Sequence, residues 1–170
     1  GPDKDEFLSL VKPRLKEKNL YVFISKSFST DEVLLSHSWL PKNILKKNLF
    51  AITANKSNAI ELGFFEQNII DFPESVGGRY SIWSQVNSPV LLPNECKNFL
   101  KGAASIDNNI QIKSTVKSAL KNIVFNDIWS HNFMDKKNRV ILSYNWKLRS
   151  ITNYLQQLEM ESLGKPNNPE

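Results

Sequence analysis

The 170-residue chain is 41% apolar and has a formal net charge of +5, a composition that fits a single domain with one core. No apolar run approaches the roughly 18 residues of a membrane span, and no signal peptide is visible. The single cysteine, Cys96, excludes an internal disulfide and fits a reducing cytoplasm, where we expect the protein to reside. The two histidines, His37 and His131, share no spacing typical of a metal site.

The surplus of 22 Lys and Arg over 17 Asp and Glu raises the question of a nucleic-acid partner. The lysines are scattered, and neither an RNA-binding aromatic motif nor a zinc finger accompanies them. The hypothesis of a basic RNA-associated domain therefore rests on net charge alone. We expect a mildly basic solvated surface, no nucleic-acid partner and no membrane partner.

The first half of the chain predicts strands that alternate with helices. Asp5–Lys18 has a helical apolar spacing that Pro13 interrupts. Leu20–Ile24 is a continuous apolar run, typical of a strand buried on both faces of a parallel sheet. Leu49–Thr53 and Asn68–Phe72 read as the next two strands. This alternation predicts βαβ units and the α/β class.

The second half favours helices joined by polar linkers, with one possible fourth strand. The domain boundaries predicted from this change are residues 1–90 for a ligand-binding part, 91–165 for a mainly helical continuation and 166–170 for a loose tail. The predicted helices are Cys96–Ala103, Ser114–Ile128 and Tyr144–Ser162, the linkers Asp107–Asn109 and Asp135–Asn138, and the strand Arg139–Ser143.

Three segments carry candidate chemistry. Ile24–Thr30 reads Ile-Ser-Lys-Ser-Phe-Ser-Thr, Val76–Ser84 reads Val-Gly-Gly-Arg-Tyr-Ser-Ile-Trp-Ser, and Tyr154–Lys165 reads Tyr-Leu-Gln-Gln-Leu-Glu-Met-Glu-Ser-Leu-Gly-Lys. In this order the three runs resemble the signatures of the glucose-6-phosphate isomerases. The resemblance extends from about residue 20 to residue 165.

This resemblance implies a sugar-isomerase (SIS) fold, a three-layer α/β/α arrangement with a mostly parallel sheet. The Gly-Ile-Gly-Gly-Ser loop after the family's first strand does not occur here, nor do the later segments with its catalytic histidine and lysine. We therefore expect a middle segment of a longer enzyme, incomplete at the N-terminal side of the sheet and inactive or nearly so by itself.

The residues after the first strand suit a phosphate. A ligand in an open α/β sheet binds beyond the carboxyl ends of the strands, and a helix N-terminus favours an anion. Ser29 and Glu32 predict a capping box at that helix. Without the other motifs, a serine-rich helix cap would be only a cap. With the resemblance, the phosphate-binding residues are Ser25, Lys26, Ser27 and Thr30.

Glu161 is the predicted catalytic residue. It lies seven residues after Tyr154 and three after Leu158, so it extends the apolar stripe of its helix. Gln157 lies one turn earlier on the same face. A solvated glutamate at a helix end is the structural alternative. The resemblance to the family's Met-Glu-Ser-x-Gly-Lys segment favours catalysis.

The two adjacent glycines before Arg79 allow either a positive φ or close approach to a ligand. A tight turn followed by a surface arginine is the alternative. By resemblance, Gly78 brings the backbone close to the sugar, Gln157 hydrogen-bonds it, and Arg79 stabilises enediolate charge while Glu161 moves a proton between C1 and C2. Pro73-Glu74-Ser75 departs from the family's Trp-Asp-Trp, which puts details of the sugar pocket in doubt.

The implied activity is reversible isomerisation of glucose 6-phosphate and fructose 6-phosphate, in glycolysis and gluconeogenesis, by a homodimer without metal or organic cofactor. The second interpretation is a non-catalytic sugar-phosphate-binding SIS module. Retention of both Glu161 and Arg79 favours the enzyme, because a sensor has no use for a proton shuttle.

Overall fold

The computed structural model describes residues 3–14, 19–91 and 93–164. The chain divides into two compact units, Gly1–Cys96 and Lys97–Glu170. The predicted tail 166–170 and the end of the first predicted helix, residues 15–18, lie outside the described residues. No helix among the described residues is both long enough and apolar enough to cross a membrane.

The first unit contains a three-stranded parallel sheet with short helices between its strands. In chain order its elements are α1 (Lys4–Val11), β1 (Tyr21–Ile24), α2 (Asp31–Ser38), β2 (Leu49–Thr53), α3 (Lys56–Glu61) and β3 (Ile69–Asp71). The sheet order is β1-β2-β3, with Tyr21 opposite Leu49 and Ala51 opposite Ile69. The α/β class and the three strands of the first half are confirmed.

The central strand, β2, is largely buried, as the sequence had predicted for the first strand instead. Its residues Ala51, Ile52 and Thr53 are at most 1% exposed. Ile24 in β1 is 43% exposed, whereas the preceding Phe23, which points to the opposite face of the sheet, is 9% exposed. The expectation that Leu20–Ile24 is buried on both faces is therefore wrong.

The core of the first unit is aromatic. Phe23 packs edge-on against Phe64 with ring centroids 5.6 Å apart, and Phe28 does the same at 5.3 Å. Half-buried Val33 from α2 and Leu62 after α3 pack against this cluster. Because the strands and both helices meet at these rings, the loops at the strand ends have a rigid base.

The second unit is helical, with most of α4 (Pro93–Ile112), then α5 (Ser114–Asn132) and α6 (Ile151–Leu163). The predicted linker Asp107–Asn109 is wrong, because these residues continue α4. The predicted strand Arg139–Ser143 is also wrong: the segment is irregular, and within 97–164 no strand is available to pair with it. Gly164 is the C-cap of α6.

Candidate phosphate site and catalytic segments

The loop Ser25–Thr30 joins β1 to α2, and its hydroxyl groups interlock. The Oγ atom of Ser25 lies 3.0 Å from Oγ1 of Thr30 and accepts a hydrogen bond from the Phe28 amide at 3.1 Å. Ser29 donates its hydroxyl to Oγ of Ser27 at 2.9 Å. Four hydroxyls therefore lie in one short turn after the strand.

The capping box predicted at Ser29 is wrong. The N-cap of α2 is Thr30, and its side chain makes no capping hydrogen bond. The Thr30 hydroxyl lies instead beside Ser25, and the Ser29 hydroxyl bonds to Ser27. The hydroxyls thus order the loop rather than the first turn of the helix.

The neighbouring strand and helix fix the backbone of this loop. The carbonyl of Lys26 accepts hydrogen bonds from the Thr53 hydroxyl at 3.0 Å and from the Ala54 amide at 3.1 Å. The Asn58 side chain donates to the carbonyl of Ser27 at 2.9 Å. Since these partners come from the end of β2 and from α3, the sheet itself sets the shape of the loop.

Phe28 holds the loop to the core in an uncommon conformation. Its φ is 53°, in the left-handed region that bulky residues rarely adopt. Its ring is 1% exposed and packs against Phe64. Such a conformation costs free energy and persists only where the surroundings impose it, a pattern common at ligand sites. Burial of Phe28 imposes it here and leaves Lys26 and Ser27 exposed on the outer side.

The loop borders a cavity of about 870 Å³ at the carboxyl ends of the three parallel strands. This is where ligands of open α/β sheets bind. The lining combines hydroxyls and two lysines with two carboxylates. Its residues are Ser25, Lys26, Ser27, Thr30, Ala54, Asn55, Lys56, Ser57, Asp71 and Glu74.

Arg79 lies in a 3-10 helix, Gly78–Trp83, and is half-buried. The preceding Gly77 has φ −74° and ψ 157°, so the positive φ that the glycine pair allowed does not occur there. A Cβ built on Gly77 meets Tyr80 at 3.7 Å, an ordinary contact. Among the described residues, neither backbone conformation nor packing requires glycine at position 77.

Glu161 lies near the end of α6 and is half-buried, whereas Gln157 one turn earlier is exposed. The preceding turn is fixed by Arg139, whose guanidinium donates to the carboxylates of Asp127 in α5 and Glu159 in α6. The hydrogen bond to Asp127 raises the pKa of Arg139 above its ordinary value, and both carboxylates add to this by their charge. Arg139 therefore links α5 to the segment of α6 that carries Glu161.

The structure brings four of the predicted site residues together, since Ser25, Lys26, Ser27 and Thr30 all line the cavity. Gly78 and Arg79 belong to the same unit but to a separate turn. Gln157 and Glu161 belong to the second unit.

Comparisons with known proteins identify the family of this chain. The family model described as phosphoglucose isomerase matches residues 3–168. The chain belongs to the phosphoglucose isomerase family. It is 34% identical to glucose-6-phosphate isomerase 1 of Colwellia psychrerythraea and 35% identical to glucose-6-phosphate isomerase of Pseudomonas putida. Each match covers 96% of this chain and 32% of the relative, so this phosphoglucose isomerase family segment spans about a third of the length of those relatives.

Sequence reasoning missed the residues of this phosphoglucose isomerase segment that support and face the loop from the second strand. Thr53 and Asn58 bond to its backbone, and Asn55, Lys56 and Ser57 line the cavity. A signal was present: polar residues directly follow the second predicted strand, whose carboxyl end lies at the same sheet edge as that of the first.

Proposed function

We propose that this chain is the part of a glucose-6-phosphate isomerase that binds the phosphate of the substrate and supplies the catalytic glutamate. The reaction is the reversible conversion of glucose 6-phosphate to fructose 6-phosphate through a cis-enediol. The observation that supports this most is the interlocked hydroxyl loop at the cavity, in a chain of the phosphoglucose isomerase family.

In this proposal the phosphate is bound by Ser25, Lys26, Ser27 and Thr30. Serine and threonine hydroxyls donate hydrogen bonds to phosphate oxygens, and the exposed Lys26 adds a positive charge. The loop is ordered before the ligand arrives, because its hydroxyls and carbonyls already have partners within the protein. Such preorganisation lowers the entropy cost of binding. A fixed phosphate also holds the reacting carbons in one place.

In the same proposal Glu161 removes the proton from C2 of the aldose and returns it to C1 of the ketose. Glu161 is half-buried, so its carboxylate is partly shielded from water. This partial shielding supports a role as the base that transfers the proton. Arg79 offers a permanent positive charge to the enediolate oxygens, Gly78 allows close approach of the sugar, and Gln157 donates a hydrogen bond to it.

We also propose a homodimer that acts in the cytoplasm on sugar phosphates. Exposed apolar side chains of the second unit support further protein contacts: Phe125 is 59%, Trp129 46% and Phe133 69% exposed. The single cysteine is compatible with a reducing compartment.

The test uses a chimera in which residues 3–168 replace the matching segment of the Pseudomonas putida relative, assayed for formation of glucose 6-phosphate from fructose 6-phosphate. We expect the chimera to be active, and Glu161→Gln to lower kcat by roughly a thousandfold or more with little change in KM. Asp107→Asn, a change at an exposed residue of α4, is the control for loss of a carboxylate elsewhere in the second unit.

The competing sensor interpretation predicts a different result. A chimera that binds fructose 6-phosphate without converting it would favour the non-catalytic module. An active chimera whose Glu161→Gln variant keeps its kcat would remove Glu161 from the mechanism.

A further inference from the structure

Lys56 lines the same cavity as the hydroxyl loop but approaches it from the second strand. It is the first residue of α3, directly after Asn55, and its side chain is 51% exposed. Its Nζ atom lies 3.8 Å from Oδ1 of Asp71, the last residue of β3, and Asp71 also lines the cavity. One cation and one anion from adjacent strand ends therefore face each other at the cavity surface.

The charges of the lining residues balance in the absence of a ligand. Lys26 and Lys56 are opposed by Asp71 and Glu74. A phosphate group brings up to two negative charges and up to three acceptor oxygens, so it binds best where a cation is available. Because an exposed ion pair contributes little free energy, an arriving phosphate can displace Asp71 from Lys56 at small cost.

We infer that Lys56 is a second phosphate-binding cation, and that its pairing with Asp71 sets the affinity of the site for anions. This rests on the proposed function of the Ser25–Thr30 loop and adds a residue to it from the next strand. In the unliganded protein Asp71 holds Lys56 at the cavity. When the phosphate binds, the Lys56 ammonium exchanges the carboxylate for a phosphate oxygen, and Asp71 becomes solvated.

The test is a titration of the 170-residue chain with inorganic phosphate, monitored by calorimetry or ³¹P NMR at an ionic strength of about 0.1 M, where exposed charges more than about 10 Å from the site are largely screened. We expect Lys56→Met to weaken binding about three- to tenfold and Asp71→Asn to strengthen it by a similar factor. In the double variant, Asp71→Asn should have no effect beyond a factor of about two, since Asp71 acts through Lys56. Glucose 6-phosphate in place of inorganic phosphate should give the same order of affinities.

The matched controls are Lys47→Met and Glu66→Gln, which make the same charge changes in the same unit at residues that do not line this cavity. Both should leave the affinity within about twofold of the unmodified chain. If they shift it as much as the cavity variants do, the effect is one of net charge and the inference is overturned. It is also overturned if Asp71→Asn strengthens binding equally in the Lys56→Met background.

The variant Ser27→Ala distinguishes a failure of this inference from a failure of the proposed function. If Ser27→Ala weakens binding and Lys56→Met does not, the hydroxyl loop stands and the role of Lys56 is refuted. If the unmodified chain does not bind phosphate at all, the loop assignment and the inference both fail.

Discussion

The buried hydroxyl of Thr53 donates a hydrogen bond to the main-chain carbonyl of Lys26 at 3.0 Å, and it accepts one from the Asn55 amide at the same distance. Thr53 is the last residue of the central strand and is fully buried. One side chain thus joins the end of β2 to the loop after β1. The geometry of the proposed phosphate site therefore depends on a residue that does not line it.

Replacing Thr53 by valine tests this dependence. Thr53→Val keeps the volume but removes the hydroxyl, which leaves the Asn55 amide without its partner, and we expect a loss of about 1–2 kcal/mol in the free energy of unfolding. Phosphate affinity should fall as well, because the loop loses a support. Thr53→Ser is the control: it loses a buried methyl group but keeps both hydrogen bonds, so it should retain the affinity. Equal affinities in the two variants would contradict this role.

Two glycines of the first unit should differ in how strongly alanine changes the free energy of unfolding. Gly63 follows α3 with φ +91°, a conformation in which a Cβ is strained, and Gly63→Ala should lower the free energy of unfolding by about 1–2 kcal/mol. Gly77 is extended with room for a Cβ, so Gly77→Ala should change it by less than about 0.5 kcal/mol. Urea unfolding measures both.

For enzymatic activity we expect the reverse order, with the larger loss in Gly77→Ala. In the chimera, Gly77→Ala should reduce kcat/KM for fructose 6-phosphate, because the added methyl group lies directly beside Gly78, where we propose that the sugar approaches the backbone. Gly63→Ala should reduce it only as far as the folded fraction falls. A Gly77→Ala chimera with unchanged kcat/KM would show that this glycine is not needed for substrate approach.

The strands were predictable because their physical signals are local. Leu49–Thr53 is a continuous apolar run, and the strand has the same bounds. The capping box failed because Ser29 and Thr30 had other hydrogen-bond partners within the loop, a choice that depends on the loop's three-dimensional path. The positive φ of Phe28 was equally invisible, since only burial against Phe64 imposes it.

The helical half was harder to predict. Asp107–Asn109 has the composition of a linker, yet α4 continues through it, because adjacent helical turns outweigh a weak local propensity. Arg139–Ser143 has strand propensity but no partner strand among residues 97–164. Its arginine instead pairs with two carboxylates, one of them twelve residues before it and the other twenty after it. Such distant pairing has no local signature in the sequence.

Arg139 should stabilise the α5–α6 pair. Arg139→Gln removes the only guanidinium that joins Asp127 to Glu159 in the described structure, and we expect a loss of about 1 kcal/mol, modest because all three groups are partly exposed. Amide hydrogen exchange should accelerate in α6. Lys137→Gln is the control, since Lys137 pairs with Asp135 at 3.2 Å and with no other carboxylate among the described residues, and it should leave α6 unchanged. Equal exchange in both variants would refute the link.

His37 should make the first unit sensitive to acid. Its ring packs against Phe23 and Phe64 with centroid distances of 5.7 Å and 5.4 Å. Burial lowers the pKa of His37 below its ordinary value of 6.5. As the pH falls through 6.5, the unfolded chain therefore binds a proton before the folded chain does. Stability that is fully present above this pH is lost progressively as the pH falls towards the lower pKa of the folded state.

His37→Phe should remove this part of the acid sensitivity while keeping an aromatic ring against Phe23 and Phe64. The measurement is the urea midpoint of unfolding at pH 7.5 and pH 5.5, values that lie either side of the ordinary histidine pKa of 6.5. The midpoint of the unmodified chain should fall more between the two pH values than that of His37→Phe. His131→Phe, a change at an exposed residue of the second unit, should keep the full pH dependence. If His37→Phe loses as much stability on acidification as the unmodified chain does, another group causes the effect.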